Sequence, residues 1–198
     1  MFELGNTIGN IINGIRNMLM LIAQWDMAVL TFFNATRTPI LDTFFWLITW
    51  LGSMWVLLPL SLLIAASLAL RQQLSEWRYT LYLPITLGLA SLTTWLLKPV
   101  FARDRPQLFE ALMTLPPDMS FPSGHATQAS AFFLALWLML PRHLRPWLIA
   151  PALVMIILVA VSRPYLQVHW FSDVLVGCIV GCGYAIGLWF LLGKKEIK

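Results

Sequence analysis

The stretch "SRPYLQVHWFSD", Ser162 to Asp173, lies between "LIAPALVMIILVAV" (Leu148–Val161) and "VLVGCIVGCGYAIGLWFLLG" (Val174–Gly193). Each flank is apolar enough for hydrocarbon, which a helix crosses with about 20 mostly apolar residues. An arginine, a histidine and an aspartate held between two such runs are expensive and point to function. The whole chain agrees with this reading. Its 198 residues are 59% hydrophobic and 11% charged, with a mean hydropathy of +0.76. Soluble domains average about 45–50% apolar and about 25% charged. The fold class expected is therefore all-α: a polytopic membrane helical bundle in the cell membrane (inner or plasma), with no separate soluble domain. The net charge of +4 does not indicate nucleic acid. The basic residues form short clusters between apolar runs, as topology signals do.

Outward from the opening stretch, the sequence predicts five spans, within Trp46–Leu70 and at about Tyr79–Leu97, Ala126–Leu140, Trp147–Val161 and Val174–Leu192. Pro99, Pro141, Pro146 and Pro164 mark their ends, while Pro59, Pro84 and Pro151 fall inside, where membrane helices tolerate them. The chain divides into an N-terminal segment, residues 1–40, and a transmembrane bundle, residues 41–198, whose loop 98–125 carries polar motifs. In the first segment Asn6, Asn10, Asn13 and Asn17 share one helical face, and Ile8, Ile11, Ile12, Ile15, Leu19 and Ile22 fall largely on the other. That pattern is an amphipathic helix expected to lie in the interface. A sixth span through Met18–Phe33 is the alternative, and it has to bury Gln24 and Asp26. No cleavable signal peptide is expected, since Glu3 and asparagines stand where a charged n-region and an apolar core belong. Cys178 and Cys182 read as small packing residues within a helix. Two GxxxG spacings, Gly177–Gly181 and Gly183–Gly187, permit close helix packing, within the bundle or between protomers.

With five spans, one set of loops holds Arg71, Arg78, Arg142, Arg145, Lys194, Lys195 and Lys198, and the other holds Lys98, Arg103, Arg105 and Arg163. The richer set is expected in the cytoplasm. The opening stretch then faces the extracytoplasmic side, as does the loop from Lys98 to His125. That loop contains "KPVFARDRP" (Lys98–Pro106) and "FPSGH" (Phe121–His125). Four helix ends thus bring Lys98, Arg105, Arg163, His125 and His169 to one membrane depth.

Clustered cations repel one another unless an anion joins them. Phosphate suits this cluster: arginine forks match its oxygens and lysine supplies a point charge. Ser123 and Gly124 precede a helix start, where free N–H groups favour an anion, and glycine allows close approach. His169 and Asp173 are spaced i, i+4, so on a helix they share a face. The carboxylate can fix the tautomer and leave the other ring nitrogen to attack. His125, from another helix start, can protonate a leaving oxygen. Together these groups make a phosphoryl-transfer site. It needs no cofactor, and it needs no metal because the cations neutralise the phosphate and no acidic cluster is present to hold magnesium.

Each patch alone also fits a structural role: interfacial anchoring for Lys98 and Arg105, a turn and cap for PSGH, a hydrogen-bonded pair for His169 and Asp173. The conjunction of three ordered motifs on one membrane face is far more specific. The chain resembles the type 2 phosphatidic acid phosphatase superfamily, whose motifs are K-x6-R-P, P-S-G-H and S-R-x5-H-x3-D. Here they read Lys98-PVFARD-Arg105-Pro106, Pro122-Ser123-Gly124-His125 and Ser162-Arg163-PYLQV-His169-WFS-Asp173. The resemblance implies a membrane helix bundle in which His169 is the nucleophile, Asp173 orients it and His125 protonates the leaving group. Lys98, Arg105, Arg163, Ser123 and Gly124 hold the phosphate. It further implies a phosphorylated lipid as the partner, undecaprenyl pyrophosphate first, with phosphatidylglycerophosphate and phosphatidate sharing the motifs. Many relatives carry glycine at the position of Gln167, which is expected to affect the approach to the pocket. A non-catalytic lipid-phosphate binder or flippase is the rival of another class, and vanadate-dependent peroxidase chemistry is a further one. In the linking segment Leu108, Phe109, Leu112 and Met113 offer an apolar face that either admits a lipid tail or simply connects. Oligomeric state is open.

Overall fold

The computed structural model describes residues 2–70 and 77–192, with side chains from 11–70 and 78–191. Seven α-helices follow one another, with no strand among the described residues: α1 Phe2–Ala35, α2 Pro39–Thr49, α3 Met54–Leu70, α4 Trp77–Phe101, α5 Gly124–Met139, α6 Arg145–Tyr165 and α7 Phe171–Leu192. Four of them are long and apolar enough to cross a membrane, or five if the bent α2–α3 pair counts as one span. The all-helical membrane bundle expected from composition is thus the architecture found.

Two placements differ from the sequence expectation. The first span, expected as one run within Trp46–Leu70, is the pair α2 and α3, bent by 47° at a 3-10 turn, Trp50–Gly52. Thr38 caps α2, its hydroxyl accepting from the Leu41 amide at 3.3 Å, and Pro39 supplies the first helical φ. Gly52 explains the bend's position. A side chain there would collide with Val159 of α6 and stand 3.1 Å from the His125 carbonyl, so only glycine lets this turn press on the start of α5. Meanwhile α5, the expected third span, has 16 residues and is about 24 Å long. It falls short of a full crossing and is instead the central helix, with Ala126, Ala129, Ala131, Phe132 and Ala135 buried.

Small residues let α7 lie against α5. A methyl on Gly177 would sit 2.7 Å from the Ser123 carbonyl, and one on Gly181 would collide with the Thr127 carbonyl. This GxxxG pair therefore packs inside the bundle. Gly183 and Gly187 meet nothing within 4 Å. A core of Leu57, Tyr82, Leu83, Leu87, Phe132 and Ala185 fills the half of the bundle remote from Lys98.

In the N-terminal segment α1 is one continuous helix whose Ile11–Ala35 portion is long and apolar enough to cross a membrane, as the alternative of a sixth span requires. Asn13 and Asn17 are exposed, whereas the side chains of Asn6, Asn10 and Ile8 lie outside the described residues. Gln24 is exposed, but Asp26 is 1% exposed and Leu30 is fully buried against the bundle. The objection to a span here was the burial of a carboxylate. That objection is met by an ion pair with Arg103 at 2.6 Å and by two hydrogen bonds from Ser172. Of the basic residues used for topology, Arg71, Lys194, Lys195 and Lys198 lie outside the described residues.

Candidate active site

Four chain segments converge at one end of the bundle. The last turn of α4 brings Lys98; Ala102, in the left-handed region at φ 44°, turns the chain out of the helix toward Arg103 and Arg105. The first turn of α5 brings Gly124 and His125, the last turn of α6 brings Arg163, and the loop before α7 brings His169. The Ser123 amide donates to the Asp173 carbonyl at 3.1 Å, tying the start of α5 to the first turn of α7.

A cavity of about 290 Å³ is lined by Lys98, Arg105, Gly124, His125, Arg163 and His169 together. Ser123 and Asp173, the other two expected site residues, are fully buried and stand behind this wall. A methyl group on Gly124 would find its nearest neighbour in the Thr94 side chain, at 3.9 Å, so the glycine leaves the cavity floor open. Apolar space elsewhere is larger: a groove of about 580 Å³ between α1, α6 and α7 has no charged residue in its wall. Chemistry belongs to the smaller, polar cavity.

Arg105 donates through Nη1 to the Val168 carbonyl at 2.8 Å and to His169 Nε2 at 3.2 Å. A guanidinium only donates, so Nε2 accepts and the ring proton sits on Nδ1. Nδ1 in turn faces Asp173 Oδ2 at 3.4 Å, long for a hydrogen bond in a site without substrate. Burial first, then the charges of Arg163, Arg105 and Lys98, push the His169 imidazole well below its ordinary range. His169 is therefore neutral at physiological pH, with the Nε2 lone pair facing the cavity's cations.

The three cations are not equivalent. Lys98 pairs with Asp118 at 2.9 Å and donates to the Met119 carbonyl. Arg105 pairs with the same carboxylate at 2.6 Å and takes the Asp118 carbonyl at 3.0 Å through Nε. Burial opposes charge at Asp118, but the hydrogen bonds from Lys98 and Arg105 hold its carboxyl below the usual range. Arg163 is fully buried and forms no ion pair among the described residues. Its Nη1 donates to Thr49, and its Nε has no partner. The buried Ser123 hydroxyl is also without a partner. Buried donors left unmade are rare and call for an acceptor.

Several groups around the site were not singled out from sequence. Asp118 occupies the cradle. Ser120 donates to Asp173 Oδ2 and lies 3.4 Å from His169 Nδ1. Arg103, inside the quoted first motif, bridges Asp173 and Asp26. A usable signal existed for Asp26, the lone carboxylate between Glu3 and Asp42 in an otherwise greasy run. Gln167, expected to affect the pocket's approach, does not line the cavity. It has φ 60°, and its side chain donates to the Leu30 carbonyl of α1 at 3.0 Å. The left-handed φ is one that glycine adopts freely, which fits the glycine that the family resemblance leads one to expect here. The linking segment is docked: Leu112 and Met113 pack on Tyr165, Leu166 and Val168, while Leu108 is exposed. Among the described residues no group of three or more His, Cys, Asp or Glu is arranged to hold a metal ion.

Comparison with known proteins adds to this geometry. A Bacillus subtilis phosphatidylglycerophosphatase B is 32% identical over 151 residues, 73% of this chain and 72% of its own length. An Escherichia coli protein provisionally named an undecaprenyl-diphosphatase is 33% identical over 117 residues, 56% of this chain. That match spans only 57% of the E. coli protein's length. The crystal structure of a transmembrane PAP2 type phosphatidylglycerolphosphate phosphatase from Bacillus subtilis superposes with a TM-score of 0.77 at 28% identity, over 94% of this chain and 98% of that one. The sequence profile of the PAP2 superfamily matches residues 79–197, which include every charged residue and both histidines that line the cavity. The chain belongs to the PAP2 superfamily, among its multi-pass membrane phosphatases.

Proposed function

We propose that this chain is a metal-independent lipid phosphatase acting through a phosphohistidine, with undecaprenyl pyrophosphate as its principal substrate. Phosphatidylglycerophosphate and phosphatidate are the competing substrates. The observation that carries the reading is Arg163: a buried cation with no ion pair among the described residues and an unpartnered Nε, on one cavity wall with Lys98, Arg105 and two histidines. Such a site is stable only with an anion in prospect. The relatives' names supply the lipid classes; the cradle itself reads only phosphate.

In this reading the terminal phosphate displaces Asp118 and is held by Lys98, Arg105, Arg163, the Gly124 amide and the unpartnered Ser123 hydroxyl. Neutral His169 attacks phosphorus through Nε2, and Asp173 meets the positive charge that develops on the ring. The bond from phosphorus to the leaving oxygen breaks as His125 donates a proton to that oxygen; burial and the nearby cations lower its proton affinity, and the bound phosphate dianion restores it. Water then attacks the phosphohistidine and gives its proton to His125. The P–N bond breaks, and inorganic phosphate leaves with both rings restored. Residues 41–198 carry these groups, with loop 98–125 supplying the first two motifs. The cavity belongs on the extracytoplasmic face of the cell membrane, at the end opposite Arg78, Arg142 and Arg145, following the asymmetry of basic residues.

The test is phosphate release from a panel of purified lipid phosphates and pyrophosphates by wild type and His169→Ala. Wild type should turn over at least one lipid, with EDTA inert, and the variant should lose at least about 10³-fold in kcat. Equal binding with no turnover in either protein identifies a binder or flippase, and strong loss with EDTA identifies a missed metal.

A further inference from the structure

Asp26 lies on α1, outside the segment matched by the superfamily profile, yet it belongs to the network that ends on His169. Its Oδ2 accepts from Arg103 Nη2 at 2.6 Å and from the Ser172 hydroxyl at 2.7 Å. Its Oδ1 accepts from the Ser172 amide at 2.7 Å. Both carboxylate oxygens are thus engaged, and one partner is a free N–H in the first turn of α7. The other terminal nitrogen of Arg103, Nη1, lies 2.5 Å from Asp173 Oδ1 and 2.7 Å from the Ser172 hydroxyl. The opposite oxygen, Asp173 Oδ2, receives the Ser120 hydroxyl and the Trp170 amide, and it is the one that faces His169 Nδ1.

One guanidinium therefore spends one nitrogen on each of two buried carboxylates. Arg103 does not line the cavity, although Arg105, two residues on, does. It is no phosphate ligand. The Trp170 ring stacks on it, with the guanidinium carbon 5.3 Å from the ring centroid, and fixes its plane. The arrangement makes chemical sense if Asp173 must stay in one rotamer with its second oxygen on the histidine. It also matters that Asp173 does not own Arg103 outright. A guanidinium shared with Asp26 leaves Asp173 enough negative charge to stabilise a cationic phosphohistidine.

Resting on the phosphatase reading above, we propose that Asp26 is a positioning residue for catalysis. Through Arg103 it sets the orientation and charge of Asp173, and so couples α1 to the His169 nucleophile. This assigns α1 a part in the reaction rather than in anchoring alone.

The experiment uses full-length protein in detergent, with the best lipid of the panel as substrate and inorganic phosphate as a competitive probe of the cradle. Asp26→Asn should lower kcat by about 10- to 100-fold, the loss typical when an orienting partner is removed. KM, the inhibition constant for phosphate and the thermal midpoint should stay near wild type. Asp26→Glu should recover part of kcat. In an Arg103→Met background Asp26→Asn should change kcat by less than about twofold, because the shared intermediary is gone. If Asp26→Asn does not fold, Arg103→Lys asks the same question with one nitrogen for two carboxylates. It should lose about tenfold in kcat at an unchanged phosphate constant.

A folded Asp26→Asn as active as wild type overturns the proposal. So does a parallel fall of kcat, phosphate affinity and thermal midpoint, which marks a merely structural anchor. If wild type itself releases no phosphate from any lipid, the phosphatase reading falls and this role falls with it.

Discussion

The two ends of the helix bundle hold buried polar groups in opposite ways. At the end where α4 begins, Tyr79 donates to the Met139 carbonyl and Tyr82 to the Ala185 carbonyl at 2.6 Å. Arg145 donates to the Leu138 and Leu140 carbonyls at 2.6 and 2.9 Å, and stacks on Trp189. Tyr79 and Arg145 close the C-terminus of α5, whose last carbonyls have no helical partner, while Tyr82 ties α4 to α7. At the other end Arg163 is as deeply buried as any residue, yet its Nε and the Ser123 hydroxyl go unpaired. At the structural end the large donors Tyr79, Tyr82 and Arg145 are all engaged, although the buried Thr80 hydroxyl lacks a partner. A buried charge without a counter-ion among the described residues is what sets the other end apart, since such a group is tolerated only where something else repays it.

Substitution at each end tests that contrast. Arg163→Met should lower kcat by about 10²- to 10³-fold, the scale of losing one charged donor to a transition state. Its thermal midpoint should hold or rise, because a buried unpaired charge is replaced by a well-packed apolar chain. Tyr82→Phe should do the reverse: a destabilisation of about 1 kcal/mol from the lost hydrogen bond to the Ala185 carbonyl, which keeps its helical partner, with kcat and KM unchanged. Initial rates and melting curves on the same preparations decide the matter. Loss of stability in both variants would erase the distinction.

The pH profile sharpens the reading of the ligand end. His169 attacks only when neutral, and its surroundings lower its proton affinity. Protonation therefore takes hold only as pH falls below the ordinary imidazole value of about 6.5. The acid limb of kcat/KM should lie below that pH, with a separate basic limb where His125 loses its proton. An acid limb at or above about 6.5 means the cations do not act on the nucleophile. The smallest effect concerns Asp118, whose side chain is half exposed. Asp118→Asn removes the anion already in the cradle, so the inhibition constant for inorganic phosphate should fall several-fold, measured at fixed ionic strength.

The charged motifs were legible from sequence because a charge in a greasy chain has few innocent explanations, and three such motifs in order have almost none. Helical class followed from length and hydropathy of each run. What sequence could not supply were pair terms. Asp26 read as a penalty because its partner Arg103 is 77 residues away. The break at Gly52 depends on Val159 and His125, which local pattern does not reveal. Ser123 was expected at the phosphate and Asp173 at His169; spacing fixes a face but not a depth, and both side chains are fully buried and outside the cavity lining. Gln167 was visible as an oddity, but its backbone angle and its hold on Leu30 were not.

Asp118 has a kinetic consequence. A carboxylate tethered beside Lys98 and Arg105 acts at a millimolar or higher effective concentration, as linked groups do. When a turnover ends, departing inorganic phosphate competes with an anion that never diffuses away. In the proposed reaction a lipid regains through its tail the affinity that this competition removes, whereas the spent ion has no tail, so the protein should tolerate phosphate-rich surroundings that would clog an untethered pocket.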